Sequence, residues 1–192
     1  MSDRDRRSHT KERALEAFLV SSARLGDPHA FGRLVELRGG RLMAHAVRLL
    51  GERDGAHDVV QEAWIEILRG LRHLRDETAF LPWALKIVTR RVAREIRRRQ
   101  KGRALADAVS AEAVVATPEA GPRAVEAARV RAAIAALPPA QAATVALFYL
   151  EDLTVSEVAT ALDVPVGTVK TRLMHARRKL RAELEGQDDG QT

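Results

Sequence analysis

The chain has 192 residues, 46% hydrophobic but only 4% aromatic, which allows one ordinary domain or two small ones and favours packed helices built from Ala, Leu and Val over a large sheet. Lys and Arg total 32 against 26 Asp and Glu, and the resulting net charge of +6 suits an anionic partner such as nucleic acid. Cysteine is absent, which excludes disulfides, thiolate nucleophiles and cysteine-ligated zinc. No apolar run approaches the ~20 residues of a membrane span, and the charged start lacks the apolar core of a signal peptide. A cytoplasmic protein without membrane insertion is expected.

Residues 1–14 are polar and expected to be flexible. Residues 15–101 read as several helices, with breaks at Gly26-Asp27-Pro28, Gly39-Gly40, Gly51 to Gly55 and Asp76 to Thr78. In the segment GERDGAHDVVQEAWIEILRGL, helical spacing puts Val59, Val60, Ala63, Trp64, Ile67, Leu68 and Leu71 on a broad apolar face. Asp58, Gln61, Glu62 and Ile65 run along another face, with Glu66 beside them. An isoleucine among acids and amides points to a protein contact.

The next helix, FLPWALKIVTRRVAREIRRRQKGR, buries Leu81, Leu85, Val88, Val92 and Ile96 on one face. Its last fourteen residues hold eight cations and one acid, Glu95. Lys86, Arg90, Arg94, Arg97 and Lys101 share the opposite face at spacings of four, four, three and four. Like charges one turn apart repel by a few tenths of a kcal/mol per pair, and a polyanion removes that repulsion. Trp83 borders the apolar face; its ring could unstack bases, although core packing is the simpler role.

Residues 102–124 are rich in small residues and carry Pro118, Gly121 and Pro122, so they read as a flexible linker. Helical periodicity resumes in residues 125–185, and the polar tail 186–192 is expected to be disordered. Within the second helical region, Thr154 and Glu157 form a capping box ahead of an apolar face of Val155, Val158, Ala159 and Leu162. Asp163-Val164-Pro165 breaks that helix, and another starts near Val166. There Val169, Leu173, Ala176 and Leu180 make a buried stripe, while Gly167, Thr171, Met174, His175 and Arg178 lie opposite. Lys170 and Arg177 flank one side, Arg172 and Lys179 the other. This is the pattern of a helix-turn-helix whose second helix enters a major groove, with base edges read by its N-terminal half and phosphates met by its outer cations. The expected fold is all-α: two small helical domains joined by a flexible linker, the C-terminal one containing the helix-turn-helix.

No phosphate-binding glycine loop, nucleophile elbow, zinc signature or paired-histidine turn is present, so no catalytic residue, cofactor or metal is expected. An autonomous helix-turn-helix repressor would need a dimer to reach two half-sites, and the acidic face and linker argue against it. A helical adaptor that binds only proteins is opposed by the basic stripe and the helix-turn-helix.

The segments LGDPHAFGRLVELRGGRLMAHAVRLLG, DVVQEAWIEILRGL and FLPWALKIVTRRVAREIRRR resemble the second domain of an extracytoplasmic-function sigma factor, a member of the sigma-70 family. ALPPAQAATVALFYLEDLTVSEVATALDVPVGTVKTRLMHARRKLR resembles the fourth domain, and the likeness spans roughly Leu19 to Arg181. The resemblance implies that Asp58, Gln61, Glu62 and Ile65 dock on the clamp helices of core RNA polymerase. It implies that the helix carrying Trp83, Lys86, Arg90, Arg94 and Arg97 recognises and helps melt the minus-ten element of promoter DNA. Lys170, Thr171, Met174 and His175 would lie where the family reads the minus-thirty-five element, with Arg172 and Arg178 among the surrounding cations. The linker would thread toward the RNA exit path, and an anti-sigma factor would regulate the protein. The family often has Asn where Arg90 stands, Asp where Arg94 stands and Arg where His175 stands.

Overall fold

The computed structural model describes residues 3–105, 130, 132–134 and 136–185. Seven α-helices are delimited within them: α1 (Asp3–Arg24), α2 (Pro28–Leu50), α3 (Asp54–Gly70), α4 (Phe80–Leu105), α5 (Pro139–Tyr149), α6 (Val155–Leu162) and α7 (Val166–Glu185). Two single 3-10 turns, Leu71–His73 and Glu77–Ala79, join α3 to α4. No strand occurs among the described residues.

Local chemistry sets most boundaries. Gly26 takes a φ of 95° to turn the chain after α1, and Asp27 then caps α2, accepting from the amides of His29 at 2.9 Å and Ala30 at 3.3 Å. Pro28 occupies the first turn, where no amide partner is lost. Gly51, at φ 81°, ends α2 by donating to Val47 O at 2.8 Å.

The helices α1 to α4 form the N-terminal domain. Leu34, Leu42 and Ala46 of α2, Val60, Ala63 and Ile67 of α3, and Phe80, Leu85, Val88 and Val92 of α4 fill its centre, and Leu19 and Val20 of α1 close it. The C-terminal domain packs α5, α6 and α7 around Leu147, Leu153, Val158, Leu162, Val169 and Leu173.

Four features depart from the expectations. The helix α2 runs unbroken through Gly39-Gly40. Each glycine costs about 1 kcal/mol relative to alanine there, but Leu34, Arg38, Leu42, His45 and Ala46 are buried along the same helix, and that packing outweighs the penalty. The helix α1 reaches back to Asp3, through most of the stretch expected to be flexible. Glu12 and Glu16, one turn apart, both bond the guanidinium of Arg38, which is 1% exposed, and so tie α1 down. Leu68 is not part of the buried face of α3; it stands 54% exposed. The helix α4 continues to Leu105, whereas most of the expected linker and the whole 186–192 tail lie outside the described residues.

Candidate polymerase and nucleic-acid interfaces

The candidate surface on α3 is assembled as its periodicity requires. Asp58, Gln61, Glu62 and Ile65 are all exposed, while Val59, Val60, Ala63 and Ile67 point inward. Ile65 is 51% exposed and sits three residues from exposed Leu68, so the face carries an apolar pair beside its acids. Leu68 was missed because its position borders both faces of the helix; its three-residue spacing from Ile65 was the available signal.

The cations of α4 sort into two groups. Arg91 reaches back to α3, bonding Glu66 Oε2 at 2.8 Å through Nε and pairing with Glu62. Arg98 and Arg99 hold Glu95 at 2.6 to 2.9 Å, and Arg99 also pairs with Glu52. These hydrogen bonds from Arg98 and Arg99 keep the Glu95 carboxyl down at about 2. Arg90, Arg94 and Arg97, by contrast, are exposed and make no ion pair among the described residues. The internal carboxylates therefore neutralise one flank of α4 and leave a one-sided cationic row on the other. A groove of about 570 Å³ runs between α3 and α4, with Asp58, Gln61 and Glu62 on one wall and Arg94 and Arg98 on the other.

Trp83 is half-buried. Its ring lies 6.1 Å from that of Phe80 and presses on Gly70, where an added Cβ would come within 2.9 Å of it. The ring thus packs along the edge of the N-terminal core while keeping part of its surface open.

Lys86 ion-pairs with Asp163 of the C-terminal domain at 3.0 Å. Beside it, the Thr89 hydroxyl lies 2.8 Å from His45 Nε2, 3.0 Å from Leu85 O and 2.8 Å from Ala161 O. His45 is wholly buried; burial foremost, then nearby Arg48, lowers its pKa to about 3. Since the single Thr89 hydroxyl hydrogen goes to a carbonyl, the neutral ring takes the tautomer that donates from Nε2 to Thr89, and its Nδ1 has no partner among the described residues.

The helix-turn-helix is built around the capping box. Glu157 N donates to Thr154 Oγ1 at 3.2 Å, and Thr154 N donates to Glu157 Oε2 at 2.7 Å. Asp163 ends α6 at φ 55°, in the left-handed region, which Asp tolerates better than most residues. On α7, Val169, Leu173 and Ala176 are buried, while Lys170, Thr171, Met174 and Arg178 are exposed. Arg172 and His175 are half-buried on the flanks of that face. Met174 is 59% exposed at its centre. Tyr149, at the end of α5, accepts a hydrogen bond from Arg177 Nε at 2.7 Å, and the guanidinium sits 5.7 Å from the ring centroid. That brace beside α7 had no local signature, because its partners are 28 residues apart.

Among the described residues no group of three or more His, Asp or Glu could hold a metal ion, and no helix is long and apolar enough to cross a membrane.

Comparison with known families places the two domains. Residues 34–102 match the Sigma-70 region 2 family, and residues 127–180 match the Sigma-70, region 4 family. The chain is 26% identical over 178 residues to the ECF RNA polymerase sigma factor SigW of Bacillus subtilis, covering 86% of this chain and 94% of that protein. It is 27% identical to the ECF RNA polymerase sigma-E factor of Haemophilus influenzae, over 91% of this chain and 97% of that one. Its fold is similar to that of the sigma factor RpoE solved with the anti-sigma factor NepR from Bartonella quintana, with a TM-score of 0.69 at 22% identity over 81% of this chain and 96% of that chain. CnrH, solved with the cytosolic domain of CnrY, superposes with a TM-score of 0.60 at 25% identity, over 90% of this chain and 98% of that chain.

Proposed function

Since the chain belongs to the sigma-70 family, in its extracytoplasmic-function group, we propose that it binds core RNA polymerase and directs promoter recognition and DNA melting at transcription initiation. The observation that carries this reading is the division of cations on α4. Arg91, Arg98 and Arg99 are consumed by Glu62, Glu66, Glu95 and Glu52, whereas Arg90, Arg94 and Arg97 stay open to an external anion. A phosphate backbone tracking that row supplies the missing counter-charge. Lys86 extends the row at its N-terminal end, and Trp83 offers the open part of its ring to an unstacked base.

The second DNA contact is α7. Lys170, Thr171, Met174 and His175 meet base edges of the minus-thirty-five element in the major groove, with Arg172 and Arg178 on the phosphates. Asp58, Gln61, Glu62 and Ile65 of α3, joined by Leu68, form the surface for polymerase. Relatives were solved in complexes with an anti-sigma factor and with a cytosolic domain, which supports an anti-sigma partner for this chain also.

The test combines purified chain with core polymerase and promoter templates. Promoter-specific transcripts are expected from the mixture and from neither component alone. Ile65→Asp with Gln61→Lys should reduce association with core at least tenfold and leave duplex binding through α7 unchanged. Retained core binding would show that another face does the docking, and no start-site selection would overturn the function.

A further inference from the structure

Lys170, Met174 and Arg177 lie four and three positions apart on α7 and so form one line along the helix. At 100° per residue, Arg177 stands about 60° round from Met174. That places it between the face expected to read bases and the buried stripe of Val169, Leu173 and Ala176. Beside this line runs a groove of about 580 Å³, bounded on its other side by Tyr149, the last residue of α5. No Asp or Glu lines it. The grooves along α4 differ in this respect, since one carries Glu62 and Glu95 and the other Asp163. Lys170, Arg177 and Arg178 have no carboxylate partner among the described residues. An anion entering here meets cations whose charge no internal acid has taken up.

Arg177 is held ready for such an anion. Its Nε donates to the Tyr149 hydroxyl at 2.7 Å, and its guanidinium sits 5.7 Å from the ring centroid. Phe148 sets the tyrosine ring in turn, meeting it edge-on with the centroids 4.9 Å apart. One of the five guanidinium N–H groups is thus engaged by the tyrosine, and the four on the two terminal nitrogens stay available. Those two nitrogens are the fork that takes a phosphate through parallel hydrogen bonds. An unbraced arginine gives up rotamer freedom when it binds, whereas this one has given up much of it in the free chain. Tyr149 is 52% exposed and Arg177 is exposed too, so their contact closes no part of the core.

We propose that Tyr149 and Arg177 form a backbone-phosphate clamp at the flank of α7. Tyr149 fixes the guanidinium, and the terminal nitrogens of Arg177 hold one phosphate of the minus-thirty-five duplex. The clamp presupposes that α7 reads that duplex, and it extends the contact surface beyond the helix-turn-helix onto the end of α5. Arg177 touches the DNA, and Tyr149 is a positioning residue that acts through it. Because a phosphate carries no base identity, the clamp sets how strongly the element is held and not which sequence is chosen.

The test uses the full chain bound to core polymerase, with a promoter duplex in which single phosphates along the minus-thirty-five element are replaced by uncharged methylphosphonates. Affinity is measured across a range of salt concentrations. In the parent, one flanking position should lose about tenfold, the scale of a charge-assisted hydrogen bond. Arg177→Gln should be insensitive there, and its log–log salt slope should fall by about 0.9. Arg177→Lys keeps the charge but has no Nε–H to share with Tyr149. Its slope should stay near the parent's while affinity falls about fivefold, the cost of ordering one long side chain on binding. Tyr149→Phe should show a similar loss with an unchanged slope, and should cost nothing further when added to Arg177→Gln. Discrimination between matched and mutated elements should be the same in every variant.

An unchanged slope in Arg177→Gln, or a methylphosphonate profile like the parent's, overturns the clamp. Equal losses from Tyr149→Phe with and without Arg177 overturn the positioning role of the tyrosine. If Arg177→Gln lost its helical circular dichroism, the profile of Tyr149→Phe decides: a flattened response at the flanking position supports the clamp, and an unchanged one overturns it. Failure of the minus-thirty-five assignment looks different, because no methylphosphonate and no base change along the element would then affect binding by the parent.

Discussion

The imidazole of His45 and the hydroxyl of Thr89 meet at 2.8 Å between α2 and α4, with the ring wholly buried and the hydroxyl turned on toward Ala161 O. One threonine thus links the interior of the N-terminal domain to the end of a helix in the other. The ring can serve this link only when neutral, since protonation would place a charge in a dry site already beside Arg48.

That burial has a signed consequence for pH. The folded pKa of His45, about 3, lies below its ordinary value of 6.5, so the unfolded chain binds the proton more tightly. The contribution of His45 to stability is complete above pH 6.5 and is lost progressively as pH falls toward 3. Burial raises the Glu16 carboxyl, which acts in the opposite sense, but that contribution is shared with a His45→Gln variant. Urea midpoints at pH 7.5 and pH 5 should therefore fall more for the parent than for the variant. Equal falls would show that His45 titrates freely in the folded state.

Arg38 and Glu16 form a buried charge pair inside the N-terminal domain, with side-chain exposures of 1% and 3%. Removing one partner leaves a charge without its counterpart in a dry site, and Glu16→Leu should cost about 3 kcal/mol even though Glu12 keeps part of the contact. Combining Glu16→Leu with Arg38→Met should cost clearly less than the sum of the two single changes. Additivity within about 0.5 kcal/mol in denaturant unfolding would show that the pair is not coupled.

Gly39 and Gly40 sit inside α2 with open space where a Cβ would stand. Gly40→Ala should stabilise the chain by about 0.5–1 kcal/mol, because alanine loses less backbone freedom on folding and meets no neighbour. A rise in thermal midpoint is the expected reading, and a fall would reveal a contact at this surface.

The sorting of cations on α4 separates two kinds of arginine. In holoenzyme binding to melted promoter DNA, Arg94→Ala should lower the slope of log affinity against log salt by about 0.7, the value for one single-strand phosphate contact. Arg91→Ala should leave that slope near its parent value and instead loosen α3 against α4, lowering stability, since Arg91 is already paired with Glu62 and Glu66. Equal slope changes would mean that the internal pairs open when DNA binds.

For α7 the contact is duplex. Arg178→Ala should reduce the salt slope by about 0.9 and weaken most sequences alike, whereas Lys170→Ala or Thr171→Ala should change base preference. Competition between matched and mutated minus-thirty-five duplexes distinguishes the two, and a uniform loss at Lys170 would remove it from direct readout.

By itself the amino-acid sequence determined whatever depends on neighbours within a few turns of chain. The buried stripe of Val169, Leu173 and Ala176, the Thr154–Glu157 capping box, the break at Pro165, the inward face of α4 and the exposed set Asp58, Gln61, Glu62 and Ile65 all follow from helical spacing and local hydrogen bonding. Tertiary structure alone decided what depends on a distant partner. Helix α2 passes through Gly39-Gly40 because packing on both sides of them outweighs a local cost. Leu68 is exposed because it stands at the edge of the face through which α3 buries Val60, Ala63 and Ile67 against its neighbours. Arg91 is neutralised while Arg94 is not, because of the two only Arg91 comes within ion-pair distance of the carboxylates of α3. Periodicity places a charge on a face of a helix, but whether that charge is free depends on which other helix lies within reach. The same reason hid the contact of Thr89 with Ala161, 72 residues away, which seats the first helix of the helix-turn-helix on α4.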